Sequence, residues 1–158
     1  MQQNGYALQH VRKQTEAICI AAVQQNGFVL DLVENQTEAI CMAAVQQNGE
    51  ALELVKEQTD SICLAAVKRC GYALEYVKNQ TDAICLAAVQ AHQFSALPYV
   101  RNLTEEFCLA AVQYSPAVIY MLKNPTGAIL VAAHEAVEAA NRKKQASLVA
   151  GREVEDPK

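Results

Sequence analysis

The residues of this chain best suited to chemistry are its six cysteines: Cys19, Cys41, Cys63, Cys70, Cys85 and Cys108. A thiolate is a nucleophile and a soft metal ligand, so a set of them raises the question of a zinc centre or a reactive thiol. Four of them, Cys19, Cys41, Cys63 and Cys85, stand 22 residues apart, and Cys108 follows after 23. Ligands so spaced fall on separate structural units, and no histidine accompanies them at zinc-site spacing. They are expected to pack as small core hydrophobes, and neither a metal nor another cofactor is expected. Cys70 stands apart, because it replaces an asparagine at a helix end that should be exposed. It is a candidate reactive thiol or intermolecular link, set against a neutral substitution. His10, His92 and His134 have no acid or nucleophile at a recognisable spacing. No phosphate-binding glycine loop, nucleophile elbow, HExxH or CxxC is present. No catalytic residues and no enzymatic activity are therefore expected.

The spacing of the cysteines belongs to a repeat of the whole chain, in units such as QNGFVLDLVENQTEAICMAAV and QNGEALELVKEQTDSICLAAV. A fixed period in this range marks a stacked repeat protein. Thr15, Thr37, Thr59, Thr81, Thr104 and Thr126 recur in register. A hydroxyl there can accept a hydrogen bond from a free N–H at the start of a helix, and the acid that follows (Glu16, Glu38, Asp60, Asp82, Glu105) suits the positive end of the helix dipole. The helix so opened is apolar nearly all round and must be buried on most sides. Asn26-Gly27 and Asn48-Gly49, with Cys70-Gly71 as a variant, read as a stop in which a left-handed glycine closes the helix. A second helix of barely two turns is predicted over 28–33 and 72–77, with Leu30 and Val33, or Leu74 and Val77, on one side.

The fold class that follows is all-α: an α-solenoid of about six short helix-turn-helix repeats with a longer C-terminal capping helix. The predicted organisation is a single helical-repeat domain over 1–150, with regular repeats in 1–92, divergent repeats in 93–125 and the capping helix in 126–150. A disordered tail is predicted over 151–158. Divergence begins where the turn reads Ala91-His92-Gln93-Phe94-Ser95 without its glycine, and Pro98 and Pro116 follow, so the stack is expected to bend there.

Composition narrows the function. A content of 52% hydrophobic against 19% charged residues excludes a disordered chain. No run approaches the ~18 to 20 apolar residues that cross a bilayer. The N-terminal MQQNGYALQHVRKQ lacks the basic and apolar regions of a signal peptide, which with the cysteine usage gives an expectation of a cytoplasmic location. A net charge of −4 argues against non-specific nucleic-acid binding.

What repeats without being needed for packing supplies the candidate binding residues. Arg12, Lys56, Lys78, Arg101 and Lys123 share one register, with Glu34 as the exception, and would form a basic line that acids four residues on can neutralise. Tyr6, Phe28 and Tyr72 share another, where Glu50 is tolerated, and Tyr76 and Tyr99 share a third with His10. Aromatics with basic neighbours have the composition of binding hot spots, although tyrosine beside a helical core is also ordinary packing.

The units, with RCGYALEYVKNQTDAICLAAV as the fullest example, resemble a family of uncharacterised helical repeats of pattern ALxYVxxxTxxICLAAVxxNG found in bacterial, phage and giant-virus proteins. The resemblance covers residues 1 to 92 closely and 93 to 134 loosely. It implies an all-helical repeat fold and no catalytic residues, and some members resemble parts of host-directed effectors. The expectation is a non-enzymatic protein-binding repeat module, from a phage or pathogen, that binds and inhibits a host protein and acts in the host cytoplasm. The alternative is a self-associating structural protein that forms homo-oligomers through an uncapped N-terminal repeat edge. Nucleic acid is the weakest candidate partner.

Overall fold

Each period folds into a short helix, an extended linker and a longer helix, in a computed structural model that describes residues 5 to 92 and 95 to 152. The short helices are η1 (Gly5–His10), η2 (Gly27–Leu32), η3 (Gly49–Leu54), η4 (Gly71–Tyr76), η5 (Leu97–Tyr99) and η6 (Pro116–Met121). The longer ones are α1 (Glu16–Gln25), α2 (Glu38–Gln47), α3 (Asp60–Arg69), α4 (Asp82–His92), α5 (Glu105–Tyr114) and α6 (Gly127–Arg152). No strand occurs among the described residues, and the fold is an all-α repeat solenoid. Its helices fall into two compact units, residues 1–102 and 103–158.

The threonines start the long helices as their spacing predicts. Thr37 and Thr59 sit in extended conformation and their Oγ1 atoms accept the N–H of Ile40 and Ile62 at 3.4 and 3.3 Å. Thr104 does the same for Phe107 at 3.0 Å, within the second unit. The hydroxyl also donates: Thr37 to Glu16 Oε1 at 2.6 Å, and Thr126 to Glu105 Oε1 at 2.8 Å. Glu16 and Glu105, the acids that follow two of the caps, thus bind the next repeat as well as lying at their own helix dipole.

The short segments are 3₁₀ helices, where two turns of ordinary helix were predicted. Only six residues lie between extended caps, and i→i+3 bonding closes within that length: Val29 N–H reaches Asn26 O at 3.0 Å and Val33 N–H reaches Leu30 O at 3.1 Å. Three residues per turn eclipse positions i and i+3. Gly27, Leu30 and Val33 therefore line the buried side, while Phe28 and Asp31 point outward.

The glycines of the Asn-Gly pairs are not left-handed helix stops, which corrects the sequence reading. Asn26 and Asn48, extended, end one helix and cap the next, accepting the N–H of Phe28 and Glu50 on their side-chain oxygens at 3.1 Å. Glycine follows for want of space. A Cβ at Gly49 would lie 2.5 Å from Ala66 O and 2.8 Å from Cys70 Cβ, and one at Gly27 would lie 2.7 Å from Ala44 O.

The repeats of the first unit are tied by a residue that the sequence reading passed over, the glutamine before each threonine. Gln58 donates from Nε2 to Leu52 O at 3.3 Å in its own repeat and to Tyr76 O at 2.9 Å in the next, while its Oε1 accepts Lys78 N–H at 2.9 Å. Gln36 and Gln80 make the same three contacts, and Gln14 makes the two that reach forward. Main-chain groups between the two short helices are satisfied without water. The series ends with Gln80. Leu103 and Pro125 hold that position in the second unit.

Ile40, Cys41, Ala44, Val45, Leu52 and Val55 typify the core, and their equivalents in the repeats of α3 and α4 are buried alike. The core holds no buried polar or charged residue among those described. In the second unit α5, η6 and α6 pack together. Helix α6 is 26 residues long and continues past Gly151, beyond the predicted end at 150. A glycine in the last turn costs only about 1 kcal/mol against alanine, and no proline intervenes before Pro157. Residues 153–158 of the predicted tail, and Gln93 and Phe94 of the divergent turn, lie outside the described residues.

Candidate functional site

The five regular cysteines are buried and form no disulfide. The Sγ atoms of Cys19, Cys41, Cys63 and Cys85 donate to the glutamine oxygens at 3.7 to 3.8 Å, so the thiol ladder runs along the glutamine ladder. Burial raises the pKa of all four, and that of Cys85 reaches about 11, with Asp82 adding to the effect and Arg101 opposing it. These are protonated, shielded thiols. No group of three or more His, Cys, Asp or Glu placed to hold a metal ion occurs among the described residues. Cys70 is half-buried, makes no cap bond of the kind Asn26 and Asn48 make, and donates to Glu50 Oε1 at 3.7 Å.

The basic register lies where each short helix ends. Lys78 Nζ donates to Lys56 O at 2.7 Å and Val55 O at 3.5 Å, and Arg101 Nη2 donates to Glu75 O at 2.8 Å. These cations close the carbonyl ends of the preceding short helix, where a positive charge is favoured. Arg12, Lys56 and Lys123 are exposed. Beside Lys56, a groove of about 450 Å³ is lined by Glu34, Glu38 and Glu57, so acids interrupt the basic line.

The aromatic register lies on the outer side of the short helices. Tyr6, Phe28 and Tyr72 are 50%, 39% and 50% exposed. Tyr72 meets Tyr99 of the neighbouring short helix edge to face, with ring centroids 5.7 Å apart at 80°, which joins two registers that were read separately. Tyr76 is half-buried, and burial followed by the carboxylates of Glu53, Glu75 and Glu50 raises its pKa. That effect marks a feature the sequence reading missed. Asp31, Glu53 and Glu75 are exposed and stand three residues after Phe28, Glu50 and Tyr72. On a 3₁₀ helix this spacing places a row of carboxylates beside the row of aromatics. A period of three in the short segments was the signal that could have revealed it.

In the second unit, Tyr120 and Leu130 are exposed, and a cavity of about 470 Å³ opens between η6 and α6. No described helix is long and apolar enough to cross a membrane.

Comparison with family models, with curated proteins and with solved structures gives no match to this chain.

Proposed function

We propose that this all-α repeat protein is a non-enzymatic protein-binding module whose recognition surface is the outer side of the short helices in the first unit. The observation that carries the reading is the exposure of Tyr6, Phe28 and Tyr72 beside the carboxylates of Asp31, Glu53 and Glu75. Exposed aromatics supply rigid apolar contact area. The neighbouring carboxylates favour a partner with lysine or arginine at its surface, and such cations also stack on tyrosine faces. A host protein as target, met in the host cytoplasm by a phage or pathogen protein, is the form of this reading that the family resemblance favours.

The test is capture of partners by the wild-type protein, by Phe28→Ala/Tyr72→Ala and by Glu53→Lys/Glu75→Lys, each checked for native helicity. A partner retained by the wild type and lost with both variants supports the proposal, and its release should steepen with salt. Equal retention by all three would refute it.

A second reading, self-association through the N-terminal edge, is favoured by one contrast. Ile18 is 41% exposed, whereas its equivalents Ile40, Ile62 and Ile84 are each 1% exposed.

A further inference from the structure

The repeat register gives each long helix two faces. The isoleucine three residues after the threonine is exposed in α1, at Ile18, and buried in α6, at Ile129, so this position looks toward the preceding repeat. The next position behaves oppositely: Cys19 is 2% exposed and Leu130, its equivalent in α6, is 50% exposed. His134 is exposed where Val23, Val45 and Val67 are fully buried. These two positions look toward the following repeat. The short helices show the same polarity. Ala7 is exposed where Val29, Ala51 and Ala73 are fully buried.

The cavity of about 470 Å³ between η6 and α6 lies on the forward face, lined by Pro116, Ile119, Tyr120, Leu130, His134 and Val137 among others. Within the first unit the corresponding place is filled: η3 packs on both η2 and α2, and η4 on both η3 and α3. Ala51 of η3 lies close to Gly27, the residue that Pro116 matches in register. The cavity therefore occupies the seat of a following short helix.

We infer that this seat takes η1 and α1 of a second copy of the chain, so that copies associate head to tail. The assignment rests on the self-association reading and names the surface that the N-terminal edge meets. The second copy offers a backward face with Ala7 and Ile18 exposed where η2 to η4 and α2 to α4 bury the matching residues, and with Ala21 exposed where Ala43, Ala65 and Ala87 are half-buried. A two-faced contact of this kind is heterologous and propagates into rings or filaments. It is also weak, because Pro125 and Gly127 replace the glutamine and the acid that bond forward in the regular repeats. The contact is left with apolar packing alone.

The experiment is sedimentation of the full chain over roughly 1 µM to 1 mM, a range that brackets weak interfaces. It compares the wild type with Ile18→Glu, with Leu130→Glu and with their equimolar mixture, after circular dichroism has confirmed native helicity. Both substituted residues are exposed, so folding should survive. The wild-type mass should rise with concentration, and each single variant should weaken association by about tenfold or more, since it buries an unpaired charge. The mixture should form one-to-one dimers, because each variant keeps the edge that the other lacks. A wild type that stays monomeric overturns self-association altogether. A Leu130→Glu protein that assembles like the wild type leaves self-association standing and overturns the α6 seat. Two inactive variants that fail to complement overturn the head-to-tail arrangement.

Discussion

Gln58 Oε1 accepts the backbone N–H of Lys78 at 2.9 Å across the boundary between two repeats, 20 residues along the chain. With its amide on Tyr76 O, this side chain replaces the main-chain pairing that joins neighbouring elements in a sheet. Each such bond contributes about 1 kcal/mol, and orphaning half-buried partners adds to the loss. Gln58→Leu should lower the stability of the first unit by about 2 to 3 kcal/mol in urea unfolding, although leucine is the residue found at position 103. Thr59→Ala, which removes a helix cap and an exposed hydroxyl contact with Ser61, should cost about 1 kcal/mol. The reverse order would show that the glutamine contacts are solvated and weak.

Glycine to alanine should change sign with position. At Gly49 the added methyl meets backbone at 2.5 Å and Gly49→Ala should destabilise by about 2 kcal/mol or more. At Gly127, where nothing lies within 4 Å, the same change should stabilise α6 by up to about 1 kcal/mol. Thermal unfolding of the two variants against the wild type reads both effects. A stable Gly49→Ala protein would mean that α3 can shift away from η3.

Alkaline pH should weaken the fold through its buried thiols. Cys85 ionises near pH 9 when unfolded and is held at about 11 by burial in the native state. The native state therefore keeps a proton that the unfolded state has lost, and stability falls across that window. It is unaffected below about pH 8. Cys85 alone accounts for up to about 3 kcal/mol, and Cys85→Ala should flatten the slope of stability against pH between 9 and 11. In native protein at neutral pH, Cys70 should alkylate first, since the other five thiols are buried. Mass-spectrometric mapping of the modified residues checks the order.

The edge-to-face pair of Tyr72 and Tyr99 should couple energetically. A double-mutant cycle with Tyr72→Leu and Tyr99→Leu is expected to give about 0.5 to 1.5 kcal/mol of interaction energy. Coupling near zero would place Tyr72 on the surface without a structural role and leave it free for a partner.

The long helices were legible in the sequence because a threonine cap and an apolar run act within one helix, and Thr37 with Ile40 shows the local bond that the pattern encodes. The short helices were legible as elements but not as 3₁₀ helices, because Leu30 and Val33 share a side under either geometry. Gly49 was misread because its cause is distant: the atoms that exclude a side chain belong to Ala66 and Cys70. Gln58 was passed over for the same reason. A polar residue next to a cap reads as solvated, and only its recurrence at 14, 36, 58 and 80 with loss at 103 and 125 hints at a bond between repeats. The carboxylates of Asp31, Glu53 and Glu75 became a row only once the period of three was known.

The glutamine contacts join one repeat to the main chain of the next, and main chain is the same whatever side chains it carries. A junction of this kind is indifferent to which copy stands on either side. In-frame duplication or deletion of 22 residues between Gln14 and Gln80 regenerates the same bonds at the new boundary. Copy number can thus drift in evolution, lengthening or shortening the exposed row of aromatics and carboxylates, without a new interface having to be invented.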